Sequence, residues 1–176
     1  ELERASFCGL SIGGMVGMWV GATAPERVDR LVLLSTSPYM PPASMWQERA
    51  QAVLRAGSVE AIADGVVERW LTPEFARRAP DVRQALRSML VSTSPEGYAS
   101  CCGAIVRMDL RGVLPRLTAP TLVISGSGDP STPPEVQRLI AAAIPEARHE
   151  IVGPAAHLAS VEQPEAVNEL ILEHLR

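Results

Sequence analysis

Lysine is absent from this 176-residue chain: all sixteen basic residues are arginine. That excludes chemistry built on a Schiff-base lysine or a phosphate-loop lysine. Aromatic residues make up only 4% of the chain, so stacking platforms for single-stranded nucleic acid are not expected. Positive charge is not in excess either. A formal net charge of −4 leaves no electrostatic footprint for a nucleic-acid backbone. No apolar run reaches the ~18 residues that a membrane helix needs, so no membrane partner is expected. The three cysteines, Cys8, Cys101 and Cys102, form no CxxC or His–Cys ligand spacing. They read as buried free thiols in a reducing compartment, which points to the cytoplasm. The first residues, Glu1-Leu2-Glu3-Arg4, include no Met and no signal-peptide pattern. The chain reads as beginning inside a larger fold.

Four short apolar runs read as strands: Ala5 to Cys8, Leu31 to Leu34, Thr121 to Ser125 and Arg148 to Val152. The middle two are continuous rather than alternating, as expected when helices cover both faces of a sheet. Helical patterns separate the runs, which predicts an α/β fold with four parallel strands. After the third strand, Thr132, Pro133 and Glu135 have capping-box spacing. Val136, Leu139, Ile140 and Ala143 then predict the buried face of that helix. A last helix is expected from near Pro164, burying Val167, Leu170 and Ile171.

The stretch 38–111 differs. It has no strand-like run and carries helical patterns near 43–56, 58–71, 81–91 and 95–108. It reads as a helical cap inserted between two core parts, 1–37 and 112–176. A small helical domain with no role at a site is the alternative.

The chemistry lies in the core parts. Gly9-Leu10-Ser11-Ile12-Gly13 is a G-x-S-x-G pattern between a strand and a helix, the context in which a serine hydroxyl is pushed clear of a sheet edge. A serine nucleophile needs a base, and the base needs a carboxylate to fix its tautomer. Asp129 follows the third strand and His157 follows the fourth, so all three residues fall at C-terminal strand ends, where open α/β sheets bind ligands. His149 and His174 read as structural or solvated. Asp109, a rival carboxylate, also reads as structural. Gly126-Ser127-Gly128 lacks the third glycine of a dinucleotide fingerprint, and no metal-ligand spacing is present.

These residues carry a likeness. Gly9-Leu10-Ser11-Ile12-Gly13-Gly14-Met15, with Ala24-Pro25-Glu26-Arg27-Val28, resembles the nucleophile elbow of α/β-hydrolases. Four further segments closely resemble 3-oxoadipate enol-lactonases: Glu68 to Pro73, Ser94 to Tyr98 with Cys101-Cys102, Met108 to Arg111, and Asp129 to Pro134. Ala156-His157-Leu158 with Glu162-Gln163-Pro164 does too. The likeness runs over essentially the whole chain. It implies an α/β-hydrolase fold fragment and hydrolysis of the enol-lactone of 3-oxoadipate in aromatic-acid breakdown.

In that reading Ser11 attacks the lactone carbonyl, His157 is the base and Asp129 orients it. Ile12 supplies one oxyanion-hole N–H. No metal or organic cofactor is implied. The substrate, a small lactone, bears a free carboxylate, for which arginine is the natural partner. Arg49 near Trp46, and Arg69 beside Trp70, are the candidates, and the cap is expected to lie over Ser11.

The family's second oxyanion donor comes from a segment before the elbow, and none is present here. The sequence therefore resembles the C-terminal two-thirds of a lactonase, with an open edge beside the first strand. A preceding segment or a second copy would cover that edge, or the isolated chain would be poorly soluble; a helix face of Met15, Met18 and Trp19 shares the exposure, except where part of it packs on the sheet. A general carboxylesterase, a carbon–carbon bond hydrolase and a catalytically inert fragment remain as alternatives.

Overall fold

The computed structural model describes residues 2–176. Two compact units emerge. One runs up to Pro38 and resumes from Asp109 to Arg176, and the other is Tyr39–Met108.

The first unit is built on a sheet of β1 (Ala5–Leu10), β2 (Val28–Leu34), β3 (Thr121–Gly126) and β4 (Arg148–Val152), paired in that order. Every pairing is parallel. The register matches Leu10 with Leu34, Leu34 with Ile124 and Gly126 with Val152, so the strands' C-terminal ends share one edge. Apolar side chains of β2 and β3 are buried on both faces, which accounts for their unbroken hydrophobic runs. On one face Val32, Leu34, Leu122, Ile124 and Val152 form a core with Ala155, Ala159 and Val167, and Leu170 and Ile171 pack against it.

The helix α1 (Ile12–Thr23) packs on the sheet through its glycines. A Cβ on Gly21 would stand 2.7 Å from the Leu117 side chain, and one on Gly17 would stand 3.0 Å from the Phe7 ring. Close approach thus overrides the poor helix propensity of this segment. It also divides the face of Met15, Met18 and Trp19. Met15 and Met18 lie in the core, while Trp19 is 56% exposed, in line with exposed Ile12 and Val16. Among the described residues, no strand pairs with the outer side of β1.

The second unit contains α2 (Ala43–Ala56), α3 (Glu60–Trp70), α4 (Pro73–Arg78), α5 (Pro80–Val91) and α6 (Pro95–Arg107). The short α4 was not anticipated. Thr72 caps it by accepting from the Phe75 N–H at 3.2 Å, and Pro73 occupies its first turn. Ser94 caps α6 in the same way at 3.1 Å. α2 packs against α6, and α3 against α5.

The remaining α-helices are α7 (Pro134–Ala143), α8 (Ala159–Glu162) and α9 (Pro164–His174), with short 3-10 helices at Pro25–Arg27 and Arg111–Arg116. α7 differs from expectation in two ways. Its cap position is Pro133 and no capping box forms. Its buried residues are Gln137 and Ile140, whereas Leu139 is 70% exposed. The reason is polar: the Thr132 hydroxyl and the Gln137 amide are both engaged in hydrogen bonds inside the fold. The cysteines also depart from expectation, since Cys8 and Cys101 are exposed and only Cys102 is buried. Cys8 lies on the open edge strand. Among the described residues, no helix is long and apolar enough to cross a membrane.

Candidate active site

Ser11 follows β1 and caps the start of α1, with φ 54° and ψ −117°. For a residue with a Cβ this backbone is strained. The surroundings hold it there. Its N–H donates to the Leu34 carbonyl at 2.9 Å, and its own carbonyl accepts from the Thr36 hydroxyl at 2.7 Å. The turn is so tight that a Cβ on Gly9 would overlap the Gly13 carbonyl, and one on Gly14 would meet the Thr36 side chain at 2.7 Å. Small residues at these positions are a steric requirement. Ile12 opens α1, and the first N–H groups of a helix have no intrahelical partner, so its N–H is available to a developing negative charge.

Asp129 lies in the loop after β3 and His157 in the loop after β4. Both are buried. The His157 Nδ1–H donates to Asp129 Oδ2 at 2.8 Å. The same oxygen accepts from the Thr132 hydroxyl at 2.7 Å. Oδ1 accepts the N–H groups of Ser131 at 2.8 Å and Thr132 at 3.1 Å. Burial pushes the Asp129 carboxyl up, but the hydrogen bond and charge of His157, with the Thr132 bonds, outweigh it and leave the pKa lowered. With Nδ1–H directed at Asp129, the other ring nitrogen, Nε2, is the one that carries the lone pair whenever the imidazole is neutral.

Two side chains to which the sequence reading gave no role at the site also support this constellation. Thr132, read as a helix cap, serves the carboxylate instead. Buried Glu162 accepts from the Ala156 N–H at 2.6 Å and so fixes the residue before His157. Only the spacing of Thr132 from Asp129 could have flagged the first. The second had no pattern signal, because its partner is six residues away, outside helix-cap or turn spacing. The other histidines are structural. His149 Nε2 lies 2.6 Å from the Ser125 hydroxyl, and His174 Nε2–H donates to the Pro120 carbonyl at 3.2 Å. Asp109 pairs with Arg111 at 2.6 Å, mainly through that hydrogen bond, and its pKa falls to about 2.

In the second unit, the Arg49 guanidinium stands over the Trp46 ring at 4.8 Å, and Trp46 Nε1–H donates to the Met40 carbonyl at 3.0 Å. Burial lowers the Arg69 pKa, and the positive charge of Arg49 lowers it further. Burial raises the Tyr98 phenol, while both arginines pull it down. Trp46, Arg49, Arg69 and Tyr98 thus form one electrostatic group. Trp70, next to Arg69, is half-buried. Two cations held near each other, partly out of water, suit an anion. Among the described residues, no group of three His, Cys, Asp or Glu side chains could hold a metal ion.

This geometry can be set beside known proteins. The model of the Alpha/beta hydrolase family matches residues 2–170. The chain belongs to the alpha/beta hydrolase family. Among family relatives, 3-oxoadipate enol-lactonase 2 of Acinetobacter baylyi is 36% identical over 171 residues, 97% of this chain and 63% of that protein. The crystal structure of the enol-lactonase from Burkholderia xenovorans LB400 superposes with a TM-score of 0.95 at 36% identity, covering 99% of this chain and 66% of that one. A hydrolase from Pseudomonas aeruginosa PA01 gives 0.94 at 42% identity, with 99% and 65% covered. The chain therefore spans under two thirds of the length of its Acinetobacter relative. This alpha/beta hydrolase has four parallel strands with flanking helices, as the sequence predicted.

Proposed function

We propose that this chain carries the catalytic residues of a serine hydrolase that opens the enol-lactone of 3-oxoadipate. The observation that carries the reading is the 2.8 Å bond between His157 Nδ1 and Asp129, at the sheet edge where Ser11 follows β1. The names of the Acinetobacter and Burkholderia relatives support the substrate.

In the proposed mechanism, His157 Nε2 takes the Ser11 proton as Oγ bonds to the lactone carbonyl carbon. The Ile12 N–H faces the oxyanion. When the tetrahedral intermediate collapses, the ring C–O bond breaks. The leaving enolate oxygen receives the proton from His157 and the enol becomes the ketone. Water then attacks the acyl-enzyme, with His157 again as base, which frees 3-oxoadipate and restores Ser11. Asp129 stays ionised and stabilises the imidazolium. Arg49 and Arg69 receive the substrate's free carboxylate, with Trp46 and Trp70 as apolar neighbours.

The test is turnover of the enol-lactone against a panel of neutral p-nitrophenyl esters, with labelling by a fluorophosphonate. Lactone turnover and labelling, both abolished by Ser11→Ala, are expected. Labelling with preference for neutral esters would replace the lactonase reading with a general esterase. A folded chain with neither labelling nor turnover would overturn the hydrolase reading.

A further inference from the structure

A buried line of hydrogen bonds joins the acid loop to the serine turn. Asp129 Oδ2 accepts from the Thr132 hydroxyl at 2.7 Å. The Thr132 carbonyl accepts from Gln137 Nε2–H at 2.9 Å. Gln137 Oε1 accepts from the Thr36 N–H at 3.4 Å. The Thr36 hydroxyl donates to the Ser11 carbonyl at 2.7 Å. Thr36, Thr132, Asp129 and Gln137 are all buried, and Gln137 is 0% exposed. Among the described residues, no buried side-chain nitrogen or oxygen lacks a partner.

Gln137 is the centre of this line. It sits on α7, yet its two amide atoms bond to two different loops, one after β3 and one after β2. A helix face that only had to bury itself would be served equally well by an apolar side chain, because a buried amide must recover its lost hydration through hydrogen bonds. The glutamine instead supplies two directional bonds whose geometry is fixed once the helix is docked. One is a residue-to-residue step from the carboxylate, and the other is a step from the backbone of the nucleophile turn.

We propose that Gln137 is a positioning residue that holds the Asp129 loop and the Ser11 turn in register. Its catalytic consequence rests on the serine hydrolase reading above; its structural consequence does not. Gln137→Met keeps the length and removes both directional bonds. Ile140→Val, on the same buried face of α7, loosens packing without touching the line and serves as the control.

Two readouts separate the possibilities. The first is the downfield proton NMR signal of the His157 Nδ1–H, which depends on its bond to Asp129 and not on turnover. It is expected to move upfield or broaden away in Gln137→Met and to persist in Ile140→Val. The second is ester hydrolysis. There kcat is expected to fall about tenfold or more, within the ~10²-fold that a 1 Å misplacement can cost, with KM within about twofold. Ile140→Val is expected to lower Tm and to keep kcat. Gln137→Leu also removes both bonds with an apolar side chain and supplies the same comparison if the methionine variant does not fold. An unchanged imidazole signal in a folded Gln137 variant overturns the proposal, even in a chain that hydrolyses nothing. An equal loss of signal or kcat in Ile140→Val overturns it as well, since ordinary packing would then suffice.

Discussion

The Gly128 N–H donates to the Ala155 carbonyl at 2.8 Å. Gly128 immediately precedes Asp129, and Ala155 lies two residues before His157, so this bond sets the separation of the acid and base loops. The Ser127 N–H reinforces it by donating to the Val152 carbonyl at 2.8 Å. Nearby, a Cβ on Gly126 would overlap the Ala156 carbonyl oxygen, so the backbones meet without room for a side chain.

Gly126→Ala is expected to push the two loops apart. The cost is about 1–3 kcal/mol of stability or more, because backbone rather than a flexible side chain must yield. Gly128→Ala is the control, since its Cβ would meet the Ala155 carbonyl at an ordinary 3.6 Å. Chemical denaturation of both variants checks this. Equal stabilities would show that the Gly126 contact relaxes freely.

Ser11→Gly is expected to raise stability. At φ 54° and ψ −117° a residue with a side chain is strained, and glycine is not. Relief of about 1–3 kcal/mol is partly offset by the ~0.5–1 kcal/mol that glycine's greater freedom in the unfolded chain costs. Ester turnover is expected to fall by about 10⁶ in either Ser11→Gly or Ser11→Ala. A Tm below that of the parent for the glycine variant would count against strain at this turn.

The lowered pKa of Asp129 makes stability acid-sensitive. Its unfolded value is about 3.9. Its contribution is fully present above that value and is lost as pH falls through the lower folded value, where the unfolded chain no longer binds the extra proton. Denaturation curves between about pH 2 and pH 7 are expected to show this decline, and Asp129→Asn is expected to flatten it. Asp109, held at about 2 by Arg111, adds an exposed contribution of the same sign that Asp129→Asn leaves in place.

Arg49→Gln and Arg69→Gln are expected to raise KM for a carboxylate-bearing substrate about 10–100-fold, the range of a charged hydrogen bond. KM for a neutral p-nitrophenyl ester is expected to stay near that of the parent. A parallel rise for both substrates would mean that these arginines support the fold of the second unit rather than recognise an anion.

Glu162→Ala is expected to cost about 1–3 kcal/mol by leaving the buried Ala156 N–H without this acceptor. Glu162→Gln, which keeps an acceptor oxygen, is expected to restore most of the loss. Thermal melting of the pair measures the difference.

Much of the site could be read along the chain because its signals are local. Gly9, Ser11 and Gly13 mark a strand–turn–helix crossing, although only Gly9 of the two glycines is small by steric need, since a Cβ on Gly13 would meet nothing within 4 Å. Unbroken apolar runs placed β2 and β3, and Asp129 and His157 stand in short loops after strands. Tertiary structure decided what depends on distant partners. Thr132 has the spacing of a helix cap, yet a carboxylate three residues away competes for its hydroxyl once the loop closes. Met15 and Met18 share a helix with Trp19, and only the docking of α1 through Gly17 and Gly21 separates core from surface. Gln137 breaks the apolar pattern of α7, and its burial makes sense only when the Thr36 N–H, 101 positions away, is beside it. Local periodicity specifies which way a helix faces to within a residue or two. Hydrogen bonds between loops far apart in sequence fix the rest, because each buried polar group must find its partner in three dimensions.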